Sequence, residues 1–332
     1  MVIDSIDQGV YALATTRQRE IIDAVRAYGG VNKAAYALGI NQSNVTRGMQ
    51  AALATAAKAG YDPLEFDNPR VLIFDIETAP IKGFIWSMWQ HGVPLCMIKD
   101  DWFVLSWAAM WLDDEDTEEA VMYQDIRDTI ADEDDKDLLH DIWHLLDEAD
   151  VVITQNGIKF DSRKLNSRFI INGYQKPSSY KHIDTLRIAK KQFGFTSNKL
   201  EYMTDKLCVK WKKLKHAQFA GFELWDECLK GNPLAWKEME KYNRHDVLSL
   251  RELYFIIRPW DNMHPNFNWY SDSLVPVCQC GCTTFIKDGF AYTATSKFQR
   301  YRCTDCGHET RDKVNLFSKE KRQSLRNNVA GF

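Results

Sequence analysis

An apolar run that ends in acids, Val71-Leu72-Ile73-Phe74-Asp75-Ile76-Glu77-Thr78, constrains this chain more than any other segment. Four consecutive large apolar side chains followed by alternation read as a buried strand. Side chains alternate across a strand, so Asp75 and Glu77 project from one face. Two unpaired carboxylates in a core are costly; a hard cation held between their oxygens offsets that cost. Val151-Val152-Ile153-Thr154 reads as a second buried strand, running into Gln155-Asn156-Gly157-Ile158-Lys159-Phe160-Asp161. Asp161 therefore falls just past a strand end, where α/β sheets gather their sites. In Tyr242-Asn243-Arg244-His245-Asp246-Val247, near the start of a helical stretch, the i, i+4 spacing sets Tyr242 and Asp246 on one helix face.

These stretches, DIET, NGxxFD and YxxxD, resemble the Exo I, Exo II and Exo III motifs of the DEDD superfamily of 3′-to-5′ exonucleases. The tyrosine four residues before the last aspartate is similar to the DEDDy branch. The histidine branch would carry His where this chain has Lys241, and His245 is in the wrong place for that role. The nearer likeness is to stand-alone exonuclease-like proteins related to the proofreading domain of family B DNA polymerases. Ile183-Asp184-Thr185 and Thr196-Ser197-Asn198-Lys199-Leu200 resemble their connecting segments.

The resemblance implies an α/β fold over 70–262, an RNase H-like mixed sheet flanked by helices, with Asp75, Glu77, Asp161, Tyr242 and Asp246 as the catalytic set. It also implies two Mg²⁺ or Mn²⁺ ions. Asp75 would bridge them, Glu77 and Asp246 would complete one, and Asp161 would hold the other, partly through water. Two such ions stabilise both the attacking and leaving oxygens of an in-line phosphoryl displacement. Tyr242, with an unperturbed pKa of about 10, is suited to orienting the attacking water rather than to acting as a base. Asn156 is expected to contact substrate or steady its loop, and Lys199 to contact substrate. DNA is the favoured substrate and RNA is possible. A structure-specific endonuclease on the same fold and a DNA-binding regulator that does not cleave stay open as alternatives.

Net charge is −4, which would argue against a polyanionic partner if it were evenly spread. It is not: residues 113–137 carry 13 acids and 2 bases, whereas 164–215 carry 13 bases and 3 acids. The basic stretch, with Lys190-Lys191 and Lys210-Trp211-Lys212-Lys213-Leu214-Lys215-His216, is expected to hold substrate phosphates without reading bases. The acidic run is expected to be an exposed loop. Trp86, Trp89, Trp102, Trp107 and Trp111 crowd the segment after Exo I; most are expected in the core, with one or two free to stack on unpaired bases. No apolar run approaches the ~20 residues of a membrane span, and the N-terminus lacks a signal pattern. A soluble, cytoplasmic protein is expected.

Scattered Cys96, Cys208 and Cys228 suit a reducing compartment. The other five cysteines cluster as Cys278-Gln279-Cys280-Gly281-Cys282 and Cys303-Thr304-Asp305-Cys306-Gly307, which resembles a zinc ribbon over 277–314. Four ligands suffice for one Zn²⁺, and Cys278, Cys280, Cys303 and Cys306 are favoured because Cys280-Gly281 aligns with Cys306-Gly307. Cys282 can replace either of the first two. The ribbon and the basic tail, 315–332, are expected to touch nucleic acid.

The first sixty residues read as a third unit, resembling a helix-turn-helix. Thr16–Tyr28 and Val31–Leu38 have helical apolar spacing, Gly39-Ile40-Asn41 makes the turn, and Gln42 or Ser43 caps a helix running toward Lys58. Ala34, Ala35, Leu38 and Ile40 are expected in its core. Gln42, Ser43, Asn44, Thr46 and Arg47 would face the major groove; trihelical patterns of this kind also serve as protein-docking modules, which stays open. Tyr61–Pro69 and His264–Pro276 read as linkers. This order of modules is similar to bacterial or phage-encoded replication, repair and nucleic-acid-processing enzymes, which implies a replication or repair protein as a partner.

Overall fold

A computed structural model describes residues 8–28, 30–59, 69–89, 92–214, 218–270 and 275–327. Lys215 and His216 of the basic stretch, most of the first linker and part of the second lie outside the described residues. The chain divides into two compact units, 69–264 and a second that gathers 1–68 with 265–332.

At the N-terminus four helices, α1 (Gln8–Leu13), α2 (Thr16–Tyr28), α3 (Val31–Leu38) and α4 (Gln42–Lys58), enclose Ile22, Val25, Ala34, Val45 and Met49. Ala34 and Ala35 are buried, and Leu38 and Ile40 pack against this cluster half-buried. The cap of α4 differs from expectation. Asn41 accepts the N–H groups of Asn44 and Val45 through its carbonyl, so the helix starts from Asn41, one residue before Gln42. Asparagine is among the favoured residues there.

The 69–264 unit is built on a five-stranded mixed sheet, β1 (Val71–Thr78), β4 (Val104–Trp111), β5 (Met122–Asp125), β6 (Val151–Thr154) and β7 (Lys181–Asp184), in the order β5-β4-β1-β6-β7. A small pair, β2 (Lys82–Gly83) and β3 (Ile98–Asp100), lies between β1 and β4 in sequence. β4 runs antiparallel to β1 and β5, while β6 and β7 run parallel to β1. The helices are α5 (Lys136–Glu148), α6 (Asp161–Ile171), α7 (Thr185–Gln192), α8 (Leu200–Leu207), α9 (Glu223–Leu229) and α10 (Pro233–Ile257). Period-two alternation divides the work of β1. Leu72, Phe74 and Ile76 join one core with Leu139, Ile142 and Leu146 of α5 and Leu165 and Phe169 of α6. Each such buried side chain contributes about 1.5–3 kcal/mol. The opposite face carries Ile73, Asp75 and Glu77 and is crossed by α10. That helix begins at Pro233, capped by the Asn232 side chain, so Tyr242 sits in its middle and not near its start.

The acidic run is not simply an exposed loop. Asp135 is fully buried, accepting from Val104 N–H, the Arg168 guanidinium and Asn172 Nδ2 at 2.7–3.1 Å. Asp116 ties Lys210 and Trp211 to Arg251. Acids from one charge block thus neutralise bases from the other, which accounts for the burial of groups that each block would otherwise leave solvated.

The C-terminal part is a three-stranded antiparallel sheet, β8 (Phe285–Tyr292), β9 (Lys297–Cys303) and β10 (Glu309–Arg311), in the order β10-β9-β8, followed by α11 (Lys319–Ser324). Among the described residues no helix is long and apolar enough to cross a membrane.

Candidate metal centre

Register opens the room that the acids need. Across the β1–β4 ladder Asp75 faces Ala108 and Glu77 faces Ser106, both small, so α10 can lie close above the carboxylates. Asn243 and Asp246 project from it toward β1. Asn243 Nδ2 donates to Asp75 Oδ2 at 2.9 Å, and Asn243 Oδ1 accepts from Ser106 Oγ at 3.1 Å. This chain fixes one oxygen of Asp75 and the angle of the helix together. One oxygen each from Asp75, Glu77 and Asp246 lie within 4.8 Å of one another.

Asp161 is the first residue of α6, buried, and accepts the Ile76 N–H at 3.3 Å. It lies outside the group of three, yet its charge raises Asp75. Its loop is a tight turn in which Asn156 adopts a left-handed conformation, φ 67°. Asn156 N–H donates to Asp184 Oδ1 at 2.9 Å, and Gly157 N–H donates to Thr154 Oγ1 at 3.1 Å. A Cβ at Gly157 would lie 2.2 Å from Thr154 Oγ1 and 2.5 Å from Thr154 Cβ. Gly157→Ala is therefore expected to cost about 1–3 kcal/mol of stability by overpacking and to displace Asp161, read by denaturant unfolding together with a cleavage assay.

Burial and mutual repulsion set the electrostatics of these carboxylates. Burial, then Asp161, Glu77 and Asp246, hold Asp75 well above the usual carboxylate range. Burial and Asp246 push Glu77 up to about 8, while Lys213 and the Trp225 side chain pull the other way. Burial pushes Asp161 up to about 7, against the backbone hydrogen bonds that it accepts. Burial and Asp246 raise the Tyr242 hydroxyl, so it stays protonated. The donor set is all oxygen, anionic and clustered, which fits hard divalent cations.

Lys213 is the residue that reading the sequence left undistinguished. Its ammonium pairs with Asp246 Oδ2 at 2.5 Å and lies 4.5 Å from the Tyr242 ring centre. Burial would lower it, but Asp246 and Tyr242 more than compensate and hold it protonated. Only its place in a run of bases marked it. Removing one partner of a buried pair costs about 3 kcal/mol or more. Lys213→Met is expected to lower the melting temperature in Mg²⁺- and Mn²⁺-free buffer, and added Mn²⁺ to recover most of the loss.

Two open clefts, each of about 520 Å³, flank these residues. One is lined by Asn156, Lys190, Asn198, Lys199 and Lys213. Among the described residues Lys190 and Lys199 pair with no carboxylate, in contrast to Lys210 and Arg168. The other cleft runs from Thr78 past Trp225 to Ile81, Trp102 and Lys164, whose ammonium sits 3.5 Å from the Trp102 ring centre. Trp86 and Trp89 are 90% and 86% exposed, whereas Trp107 is buried. His245 is not in the group of three; its ring is edge-on to Trp211, its Nδ1 lies 3.1 Å from the Lys212 carbonyl and its Nε2 3.8 Å from Glu118.

In the C-terminal sheet, the sulfurs of Cys278, Cys280, Cys303 and Cys306 lie within 4.8 Å of one another, with Cys278–Cys306 and Cys280–Cys303 at 3.5 Å. Tetrahedral Zn²⁺ with bonds of ~2.3 Å needs sulfurs about 3.8 Å apart, close to these separations. Gly281 and Gly307, at φ 87° and 76°, turn the two knuckles in the same way. Cys282 stands outside the group, its sulfur accepting the Thr284 N–H at 3.3 Å. On α4, Gln42, Ser43, Asn44 and Arg47 are exposed and Thr46 is half-buried.

The family model of the RNase H superfamily matches residues 72–257. Among solved structures the chain is similar to the family B DNA polymerase from the hyperthermophilic archaeon Pyrobaculum calidifontis, at 18% identity and a TM-score of 0.37. That match covers 60% of this chain and 26% of the polymerase chain. No curated protein matches.

Proposed function

The chain belongs to the RNase H superfamily, and on that premise we propose that it is a metal-dependent 3′-to-5′ exonuclease of the DEDDy type, acting on DNA in preference to RNA. The observation that carries this reading is the convergence of Asp75, Glu77 and Asp246 within 4.8 Å, beside Tyr242 and Asp161. Asp75, Glu77 and Asp246 would hold one Mg²⁺ or Mn²⁺, and Asp75 with Asp161 a second. When bound, the cations supply positive charge at the attacking and departing oxygens of the scissile phosphate.

The chain's own residues do the rest. Tyr242, protonated and held against Trp225, orients the water through its hydroxyl and is not a base. Lys213 pairs with Asp246 and stands where it can meet a scissile phosphate. Lys190 and Lys199 contact the substrate backbone; such contacts position without reading sequence. Asn156 shapes the Asp161 loop through its backbone. Trp86 and Trp89 stack on unpaired bases entering by the Trp102 cleft.

The helices of 1–60 and the sheet of 277–314 serve as recruiting modules. The first is a helix-turn-helix that offers Gln42, Ser43, Asn44 and Arg47 to the major groove. The second is a ribbon with one Zn²⁺ on Cys278, Cys280, Cys303 and Cys306.

End-labelled linear and circular single-stranded DNA and RNA, incubated with Mg²⁺ or Mn²⁺, test this reading. A ladder that shortens from the 3′ end is expected. Cut circles would assign an endonuclease instead, and mobility shifts without cleavage a DNA-binding regulator.

A further inference from the structure

We propose that one face of the C-terminal sheet is a stacking platform for unpaired bases, through which the ribbon binds single-stranded rather than double-stranded nucleic acid. This deepens the reading of the chain as a nucleic-acid enzyme, on which it rests, by naming the face that meets the strand and the form of the strand it takes.

The register separates two chemically different faces. Pairing of β8 with β9 sets Tyr292 against Lys297, Phe290 against Gln299 and Lys287 against Tyr301. Paired residues project to the same side, and the irregularity between Lys287 and Phe290 absorbs the odd step in β8. Lys287, Phe290, Tyr292, Lys297, Gln299 and Tyr301 therefore share one side.

The other side carries Arg300 and Arg302, and its charges are already used. Asp288 and Glu309 each bridge both arginines, at 2.5–3.4 Å. Arg311, paired across from Arg300, lies with its guanidinium 4.0 Å from the Phe298 ring centre, and Phe298 is buried. That face is closed by its own contacts.

On the first face the cations are available. Lys287 and Lys297 have no carboxylate partner among the described residues, and Lys297 Nζ lies 3.6 Å from the Phe290 ring centre and 5.9 Å from that of Tyr292. Asp312 accepts a hydrogen bond from the Tyr301 hydroxyl at 3.1 Å. Phe290 and Tyr292 are 42% and 65% exposed. Residues two apart on a strand lie about 7 Å apart, so each ring can take a separate base. Aromatic faces accept any base, and interleaved lysines meet the backbone. A duplex offers no free base face to such rings, which is why the occupant is a single strand.

The test uses the full chain carrying Asp75→Asn, so that bound strands persist, and reads anisotropy of fluorescein-labelled oligothymidine and of a labelled duplex of equal length. Phe290→Ala with Tyr292→Ala is expected to weaken oligothymidine binding about tenfold or more, as loss of two stacked bases requires, and to change duplex binding less than about twofold. Phe290→Tyr with Tyr292→Phe should bind as the parent does. Lys297→Gln should reduce the slope of log affinity on log salt by about 0.7. Zinc content of one per chain in each variant confirms an intact ribbon, and a variant that has lost zinc is replaced by the Tyr292→Ala single change. Undiminished oligothymidine binding with zinc retained, or an equal loss for the duplex, overturns the proposal. Cleavage by the otherwise native chain is measured in parallel: if cleavage fails while stacking loss is seen, the exonuclease reading falls and the platform stands.

Discussion

Asp75→Asn is expected to reduce phosphodiester cleavage about a thousandfold or more while leaving single-strand binding intact. Several kcal/mol of transition-state stabilisation go with bound cations, and on the proposed reading Asp75 is a ligand to both, being the group that Asp161, Glu77 and Asp246 all raise. The amide keeps the shape and still accepts from Asn243 Nδ2, so the loss is one of charge and not of fold. Stability should move the other way. Glu77 and Asp161, raised to about 8 and about 7 in the folded chain from 4.5 and 3.8, bind protons that the unfolded chain has released. Without Mg²⁺ or Mn²⁺, stability should therefore fall as pH rises from about 4 to about 8, where the folded state holds more protons than the unfolded one. Asp75→Asn removes a carboxyl that must take up a proton on folding at this pH, so its melting temperature at pH 8 should exceed that of the native chain and its decline with pH should be shallower. Added Mn²⁺ should stabilise the native chain and leave the variant nearly unmoved.

The second large effect concerns the ribbon. Its buried apolar inventory among the described residues is small: Val277, Phe298 and the cysteines 278 and 303. On the zinc-ribbon reading proposed above, a sheet with so little to bury depends on a metal, since structural zinc contributes on the order of 10 kcal/mol to such folds. Cys303→Ser is expected to abolish zinc binding, from one per chain to none by metal analysis, and to expose the amides of β8–β10 to rapid hydrogen exchange. Amides of β1, β4 and β6 should keep their protection, and cleavage of a short oligonucleotide should persist. Cys282→Ser, outside the group of sulfurs, should retain the zinc.

What was legible in the chain follows from what periodicity can encode. The alternation in β1 put Asp75 and Glu77 on one face, and the i, i+4 rule put Tyr242 with Asp246; both are local relations. The matching glycines after Cys280 and Cys306 marked two equivalent knuckles for the same reason. Contacts between distant segments were not legible. Nothing near Lys213 says that its ammonium, and not that of Lys210 or Lys212, meets Asp246. Asn243 stood next to Tyr242, yet its role depends on β4 bringing Ser106 opposite Glu77. The acidic run looked solvated because its partners, Arg168, Lys210 and Arg251, lie far along the chain. Composition likewise could not separate Trp107, buried on β4, from Trp86 and Trp89, which stand open on the loop that follows β2.

Anomalous diffraction from crystals of the chain soaked in Mn²⁺ tests the carboxylate centre most directly. A peak is expected at about 2.2 Å from oxygens of Asp75, Glu77 and Asp246, a bond length suited to a hard divalent ion, with a second peak between Asp75 and Asp161. A soaked crystal with no peak among these side chains, or with Mn²⁺ bound only elsewhere on the chain, would contradict it.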